Sequence, residues 1–139
     1  SLEEIVQAAR AELAPELRAR VVLARCEPAA VAHVDGPLLS GCLRRVIENA
    51  LEATEELVLI VARLEQGEAS FTVVDGTPST LGPGWQPAPF RTTKPNHLGL
   101  GLALTQRDVA LLNGRLQFLS TPGGETCVRI TLPSLETSR

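Results

Sequence analysis

Two polar side chains lie where the surrounding sequence pattern is apolar, and both could bind a ligand. Asn49 belongs to the most strongly periodic helical segment, in line with Val46 and Ala53, so its amide is expected near the core side. Asp75 ends the apolar run 71–74, where burial of a carboxylate is costly unless a donor pairs with it. For each residue alone a local partner is an open alternative: a nearby carbonyl for Asn49, and a backbone N–H of the following turn for Asp75.

A pair of glycines at the start of a predicted helix is the third candidate feature. In the run LGLGL at 98–102, Gly99 and Gly101 leave backbone N–H groups free at the positive end of the helix dipole, which suits a phosphate. Lys94 lies a few residues upstream and could add a positive charge. A G-x-G pattern can also be only a tight turn into a helix. However, ten of the 21 glycines and prolines fall between residues 76 and 101, and long irregular segments in compact domains are commonly functional lids.

The composition places these groups in one globular domain. The chain has 139 residues, of which 44% are hydrophobic and 21% are charged. The net charge of −3 and the scarcity of aromatic residues argue against a nucleic-acid partner. No apolar run is long enough to span a membrane, and the acidic start SLEE is unlike a signal peptide. Three widely spaced cysteines predict buried thiols in a reducing compartment, so we expect a cytoplasmic domain without direct membrane contact.

The secondary structure that must position these groups follows from periodicity and from helix-breaking residues. An S-x-x-E capping pattern at Ser1 begins a helix that Pro15 limits, Asp35 begins a second helix that reaches about Thr54, and a third runs from about 101 to 112. Short strands are predicted at 21–26, 30–34, 57–64, 69–74, 115–120 and 126–132, with a frayed tail after residue 133. This order predicts an α/β (α+β) two-layer sandwich, in which three helices cover one face of a mixed, mostly antiparallel sheet of about five strands.

Four short motifs, taken in order, resemble the nucleotide-binding boxes of the GHKL, or Bergerat-fold, ATPases. They are RVIENALEA at 45–53 for the N box, VVDGTPS at 73–79 for the first glycine box, PFRTTKP at 89–95 for the F box and LGLGLAL at 98–104 for the second glycine box. The ending, NGRL at 113–116 followed by STPGGET at 120–126, is most similar to the ATP-binding catalytic domain (HATPase_c) of bacterial sensor histidine kinases. The resemblance covers essentially the whole chain and implies the Bergerat fold, with an ATP lid at about 76–98.

The resemblance implies a role for each candidate residue. Asn49 would hold Mg²⁺ on the ATP phosphates, Asp75 would accept a hydrogen bond from the adenine amino group, and Lys94 would contact the phosphates. Further ATP contacts are implied at the matching family positions Ala53, Thr77, Thr93, Gly99, Leu100, Gly101, Leu102 and Thr126.

The implied activity is protein-histidine kinase activity in two-component phosphorelay signalling. Residues 1–139 would be one catalytic domain of a longer sensor kinase, compatible with a membrane-anchored parent protein. The domain would donate the γ-phosphoryl group of Mg-ATP to a histidine of a dimerisation domain outside this chain. A response regulator would be the downstream partner.

Several positions depart from the family pattern. Arg45, one turn before Asn49, stands where these kinases usually carry Asn or His, and would offer a guanidinium to the phosphates. It therefore joins Asn49 and Lys94 as a candidate catalytic residue. Thr77 and Ser79 replace glycines, and the lid is short. These departures leave two alternatives open: a degenerate domain that acts as a regulatory docking module, and a serine kinase of the anti-sigma-factor type.

Overall fold

Four helices and six strands are present in the computed structural model, which describes residues 1–27, 35–75, 88–89, 99–120 and 126–133. The helices are α1 (Leu2–Ala11), α2 (Pro15–Arg18), α3 (Gly36–Ala53) and α4 (Gly99–Leu111). The strands are β1 (Val21–Cys26), β2 (Val58–Glu65), β3 (Glu68–Asp75), β4 (Ala88–Pro89), β5 (Arg115–Ser120) and β6 (Thr126–Pro133).

These strands form one mixed sheet in the order β1-β2-β3-β6-β5-β4. β1 runs parallel to β2, and the other described pairs are antiparallel. The predicted two-layer fold is confirmed. The sheet gains an edge strand within the lid, because Ala88–Pro89 pairs with the end of β5; two residues are too short to show a strand period in the sequence. The predicted strand at 30–34, most of the lid and the tail after Pro133 lie outside the described residues.

Local sequence signals explain where the helices begin. Ser1 Oγ accepts a hydrogen bond from the Glu4 backbone N–H at 3.2 Å, which completes the predicted capping box of α1. Asp35 caps α3 in the same way, since its Oδ1 accepts from the Leu38 N–H at 3.0 Å. α1 ends at Ala11, before Pro15, and Pro15 begins α2, where a missing N–H is tolerated.

The hairpin between β2 and β3 sets the register next to the candidate site. Gln66 and Gly67 both have positive φ, 52° and 78°, as in the type I′ turn that matches strand twist. The register then runs from Glu65 opposite Glu68 to Val58 opposite Asp75. The strands predicted at 57–64 and 69–74 thus pair as a hairpin, and Asp75 lies beside the first residue of β2.

The main core lies between the helices and one face of the sheet. α3 contributes the largest helical share, with the buried residues Leu39, Ser40, Cys42, Leu43, Val46, Ile47, Ala50 and Leu51. Alternate residues of the strands face it: Val58, Ile60 and Ala62 of β2, Ala69, Phe71 and Val73 of β3, and Val128, Ile130 and Leu132 of β6. Burial of each large apolar side chain contributes about 1.5–3 kcal/mol, so α3 is held firmly against the sheet. None of the helices in the described ranges is both long enough and apolar enough to cross a bilayer.

The three cysteines are free thiols, as predicted. Cys42 and Cys127 are buried, and burial raises the pKa of the Cys42 thiol to about 11 and that of Cys127 to about 12. Cys26 is only half-buried, and burial together with nearby glutamates also raises its pKa. The thiols therefore stay protonated at neutral pH and are poor nucleophiles.

Candidate functional site

Strands β3, β5 and β6 end or begin at one end of the sheet, which is termed the site end and is defined by Asp75, Ser120 and Thr126. Asp75 is the last residue of β3 and Thr126 is the first of β6. The antiparallel register that pairs Val74 with Cys127 makes these two residues neighbours across the strands. β5 finishes at the same edge, because Ser120 pairs with Thr126. The fold thus brings together Asp75 and Thr126, two of the sequence-predicted ATP contacts.

The C-terminal turn of α3 reaches the site end. Only residues 54–57 separate Ala53 from Val58, and Val58 pairs with Asp75. Asn49 lies one turn earlier and is half-buried, whereas Ala53 is exposed. Among the residues that the structure describes, the Asn49 amide has no hydrogen-bond partner. The alternative of a locally paired carbonyl finds no partner among the described residues, and a role of the Asn49 amide in ligand binding stays a prediction.

The N-terminus of α4 lies at the site end as well. α4 leads through Asn113 and Gly114 directly into β5, which starts at the opposite edge. A helix of 13 residues spans about 20 Å, close to the length of the six-residue strand β5, so α4 is long enough to return along β5 toward the site end. The first turn of α4, with Gly99 and Gly101, is therefore expected toward the site end. Their N–H groups belong to the first turn, where the helix leaves donors unpaired.

The structure leaves part of the predicted site untested. Thr77, Thr93 and Lys94 lie outside the described residues. For Leu100, Leu102 and Thr126 only the backbone placement is described. The ATP contacts implied at these positions stay predictions.

Asp75 is half-buried at the end of β3 and takes part in a polar interaction. After burial, its negative charge is a smaller cause of the raised pKa of the Cys127 thiol on the neighbouring strand. A carboxylate in this setting accepts hydrogen bonds readily, as the adenine-binding role requires.

An ion pair that sequence reasoning missed joins α3 to α4. Nη1 of Arg45 lies 3.0 Å from Oδ2 of Asp108 and donates to Thr105 Oγ1 at 3.4 Å. The Asp108 side chain is only 5% exposed and that of Arg45 is 26% exposed. On the other side, Arg107 donates from Nε and Nη2 to Oδ1 of Asp108 at 3.2 and 3.1 Å. The expectation that Arg45 contacts phosphates stays a prediction, and its Nη1 is already engaged by α4.

The carboxyl group of Asp108 is held in its ionised form. Burial by itself raises its pKa, but the hydrogen bonds and charges of Arg45 and Arg107 outweigh burial, and the pKa lies below the ordinary value. A signal for this residue exists in the sequence, because Thr105, Asp108 and Val109 share the i, i+3, i+4 pattern of a buried helix face. A carboxylate on such a face requires a cation from another element.

The described residues contain no cluster of three or more His, Cys, Asp or Glu side chains suited to a metal. Asn49 supplies a neutral amide oxygen, which is a suitable ligand for Mg²⁺ that is bound mainly through substrate phosphates. The residues present thus fit a magnesium ion delivered with a nucleotide.

Comparison with known proteins identifies the family. Residues 34–136 match the family model of the histidine kinase-, DNA gyrase B- and HSP90-like ATPases. The chain is 33% identical over 142 residues to the sensor protein KdpD of Escherichia coli (strain K12), in an alignment that covers 96% of this chain and 16% of KdpD. The chain therefore spans about a sixth of the length of this relative.

Solved structures show the same fold. The catalytic domain of the histidine kinase ThkA superposes with a TM-score of 0.71 at 18% identity, covering 96% of this chain and 93% of that one. Full-length ShkA in complex with AMPPNP gives a TM-score of 0.67 at 19% identity, covering 100% of this chain and 31% of that one. With the family match, these likenesses confirm the expected fold. The chain belongs to the family of histidine kinase-, DNA gyrase B- and HSP90-like ATPases, as an ATPase domain of the type found in sensor histidine kinases.

Proposed function

We propose that this chain is the catalytic domain of a longer sensor histidine kinase, which binds Mg-ATP at the site end and donates its γ-phosphoryl group to a histidine of a separate dimerisation domain. One observation carries the proposal: the Asn49 amide, unpartnered among the described residues, lies at the same end of the fold as Asp75 and the first turn of α4. Family membership supports ATP as the nucleotide, and the relative ShkA binds an ATP analogue.

Each end of the nucleotide has its own set of residues. At the base, Asp75 accepts from the adenine amino group, and Thr126 on the neighbouring strand lines the same position. At the phosphates, the N–H groups of the Gly99–Gly101 turn bind oxygens, and Lys94 adds a positive charge. Ala53, Thr77, Thr93, Leu100 and Leu102 complete the contacts by their place in the family motifs.

Catalysis here consists of positioning and charge neutralisation, because phosphoryl transfer demands little covalent chemistry from the protein. When bound, Mg²⁺ neutralises charge on the phosphates, and Asn49 orients it through its amide oxygen. The acceptor histidine, and a response regulator downstream, belong to parts of the system outside this chain. The free thiols suit the reducing cytoplasm, where we place the domain.

Calorimetry with AMPPNP and Mg²⁺ tests the proposal. We expect the wild-type domain to bind, and Asp75→Asn to lose about tenfold or more in affinity, since a hydrogen bond to a charged acceptor contributes roughly 1.5–3 kcal/mol. Glu52→Gln is the matched control, because Glu52 is exposed on α3 near the site and has no assigned role. No heat from the wild type at millimolar ligand would overturn the proposal and favour a docking module.

A further inference from the structure

Helices α3 and α4 run in opposite directions, and the Arg45–Asp108 pair sets how far they are shifted relative to each other along their axes. α3 runs toward the site end and α4 runs away from it. Arg45 contacts residues 105 and 108 of α4. Four residues further along α3 is Asn49, about 6 Å nearer the site end, and four residues back along α4 is the range 101–104. Asn49 therefore stands level with the turn that follows Gly101.

Strong energetic coupling is expected from this pair. The Asp108 side chain is only 5% exposed and its pKa is lowered, so loss of Arg45 would remove one of the two cations that offset its burial, which is less favourable than loss of an exposed ion pair. Among the described residues, Arg45–Asp108 is the ion pair that joins α3 to α4, whereas Arg107 binds Asp108 from the same helix. Arg45 is thus the group through which Asp108 can hold α3.

We propose that Asp108 is a positioning residue for nucleotide binding: by holding the Arg45 guanidinium on α4, it fixes Asn49 level with the phosphate-binding turn. This inference rests on the proposed function. It assigns Arg45 to the link between the helices and leaves the metal and phosphate contacts to Asn49, Lys94 and the glycine turn. Asp108 itself does not touch the nucleotide.

The test is the affinity for Mg-AMPPNP of the wild type, Asp108→Asn, Arg45→Gln and the Arg45→Gln/Asp108→Asn double variant. Each single variant is expected to bind about tenfold more weakly, the scale found when residues that orient metal ligands are changed. The double variant is expected to bind no more weakly than either single variant, because both break the same link. The increase in AMPPNP affinity on going from EDTA to Mg²⁺ should be smaller in all three variants than in the wild type.

The sign of the Asp108→Asn effect separates this inference from direct phosphate binding by Arg45. If Arg45 served the phosphates, release from Asp108 would leave affinity unchanged or raise it, and that result would overturn the inference. The double variant leaves no buried charge without its partner, so it keeps the test decisive if a single variant does not fold. Arg107→Gln is the control: its side chain is 66% exposed and stays on α4, so affinity is expected within about twofold of wild type.

Failure of the proposed function has a different signature. In that case the wild type itself does not bind Mg-AMPPNP, although thermal unfolding without nucleotide still shows coupling between Arg45 and Asp108. If the wild type binds and Asp108→Asn binds equally well with the same gain from Mg²⁺, only the positioning role is overturned.

Discussion

The two ends of the sheet are built in opposite ways. At the far end, short turns join neighbouring elements: residues 66–67 connect β2 to β3, and residues 112–114 connect α4 to β5. At the site end, residues 76–87 separate β3 from β4 along the chain, and the half-buried Asn49 amide has no hydrogen-bond partner among the described residues. The far end is specified by tight backbone geometry, whereas the site end carries the polar groups that we propose bind the nucleotide. Stability and binding therefore depend on different residues.

The largest effect is expected at the far end, for Gly114→Ala. A Cβ at this position would lie 2.5 Å from Leu132 Cδ2 and 2.6 Å from the Thr131 carbonyl oxygen. Because the carbonyl belongs to β6 and cannot move freely, we expect a loss of about 3 kcal/mol in unfolding free energy, at the upper end of overpacking effects. Chemical denaturation measures it. An unchanged midpoint would show that the far end is less rigid than its geometry indicates.

Asn49→Ala is expected to separate binding from stability. It removes the amide proposed to hold Mg²⁺, so affinity for Mg-AMPPNP should fall about tenfold, equivalent to about 1.4 kcal/mol. Because the amide has no partner among the described residues and Ala is the better helix former, the unfolding free energy should stay the same or rise slightly. Calorimetry and thermal unfolding of the same sample measure both. A parallel loss of stability would contradict the division between the two ends.

Gly41→Ala is the counterpart of Gly114→Ala, with a smaller effect of the opposite sign. Gly41 lies inside α3, and a Cβ there would have no neighbouring atom within 4 Å. Alanine should therefore stabilise the domain by about 0.5–1 kcal/mol through the lower entropy of the unfolded chain. Denaturant midpoints compare the two variants directly. Destabilisation by Gly41→Ala would indicate that α3 needs its present flexibility.

Acid is expected to destabilise the domain in part by protonating Asp108, whereas this residue causes no change in stability around neutral pH. The Asp108 pKa is lowered below its usual value of 3.8, with Arg45, Arg107 and the Cys42 thiol as its described neighbours. Its stabilising contribution is therefore fully present above about pH 4 and is lost as the pH falls through the lower folded-state pKa. Below pH 4, the thermal unfolding temperature should fall more steeply for the wild type than for the Arg45→Gln/Asp108→Asn variant. Equal slopes would show that other carboxyl groups dominate acid unfolding.

Much of the fold could be predicted because local signals agreed with each other. The capping box at Ser1 and the helix start at Asp35 each act within a few residues, and the structure confirms them. The edge strand Ala88–Pro89 could not be predicted, since a pair of residues carries no period and forms only because β5 offers a free edge.

The candidate site was predictable to the extent that its residues lie in motifs. Asn49, Asp75 and the glycine turn could be recognised from their types and spacing, and the fold brings their elements to one end. Asp108 was missed because its partner, Arg45, comes from a helix 63 positions earlier in the chain. No local pattern records such a pair, although a carboxylate on a buried helix face indicates that a partner is required.

The sequence by itself determined the helices, the strands and the chemical types of the groups that could bind a nucleotide, because capping, turn geometry and hydrophobic periodicity act over short distances. Tertiary structure alone decided which groups meet. The β3–β6 register places Thr126 beside Asp75, and the packing of α4 on α3 turns Arg45 toward Asp108. These contacts depend on the burial of apolar faces from distant segments, which orients every polar side chain those segments carry.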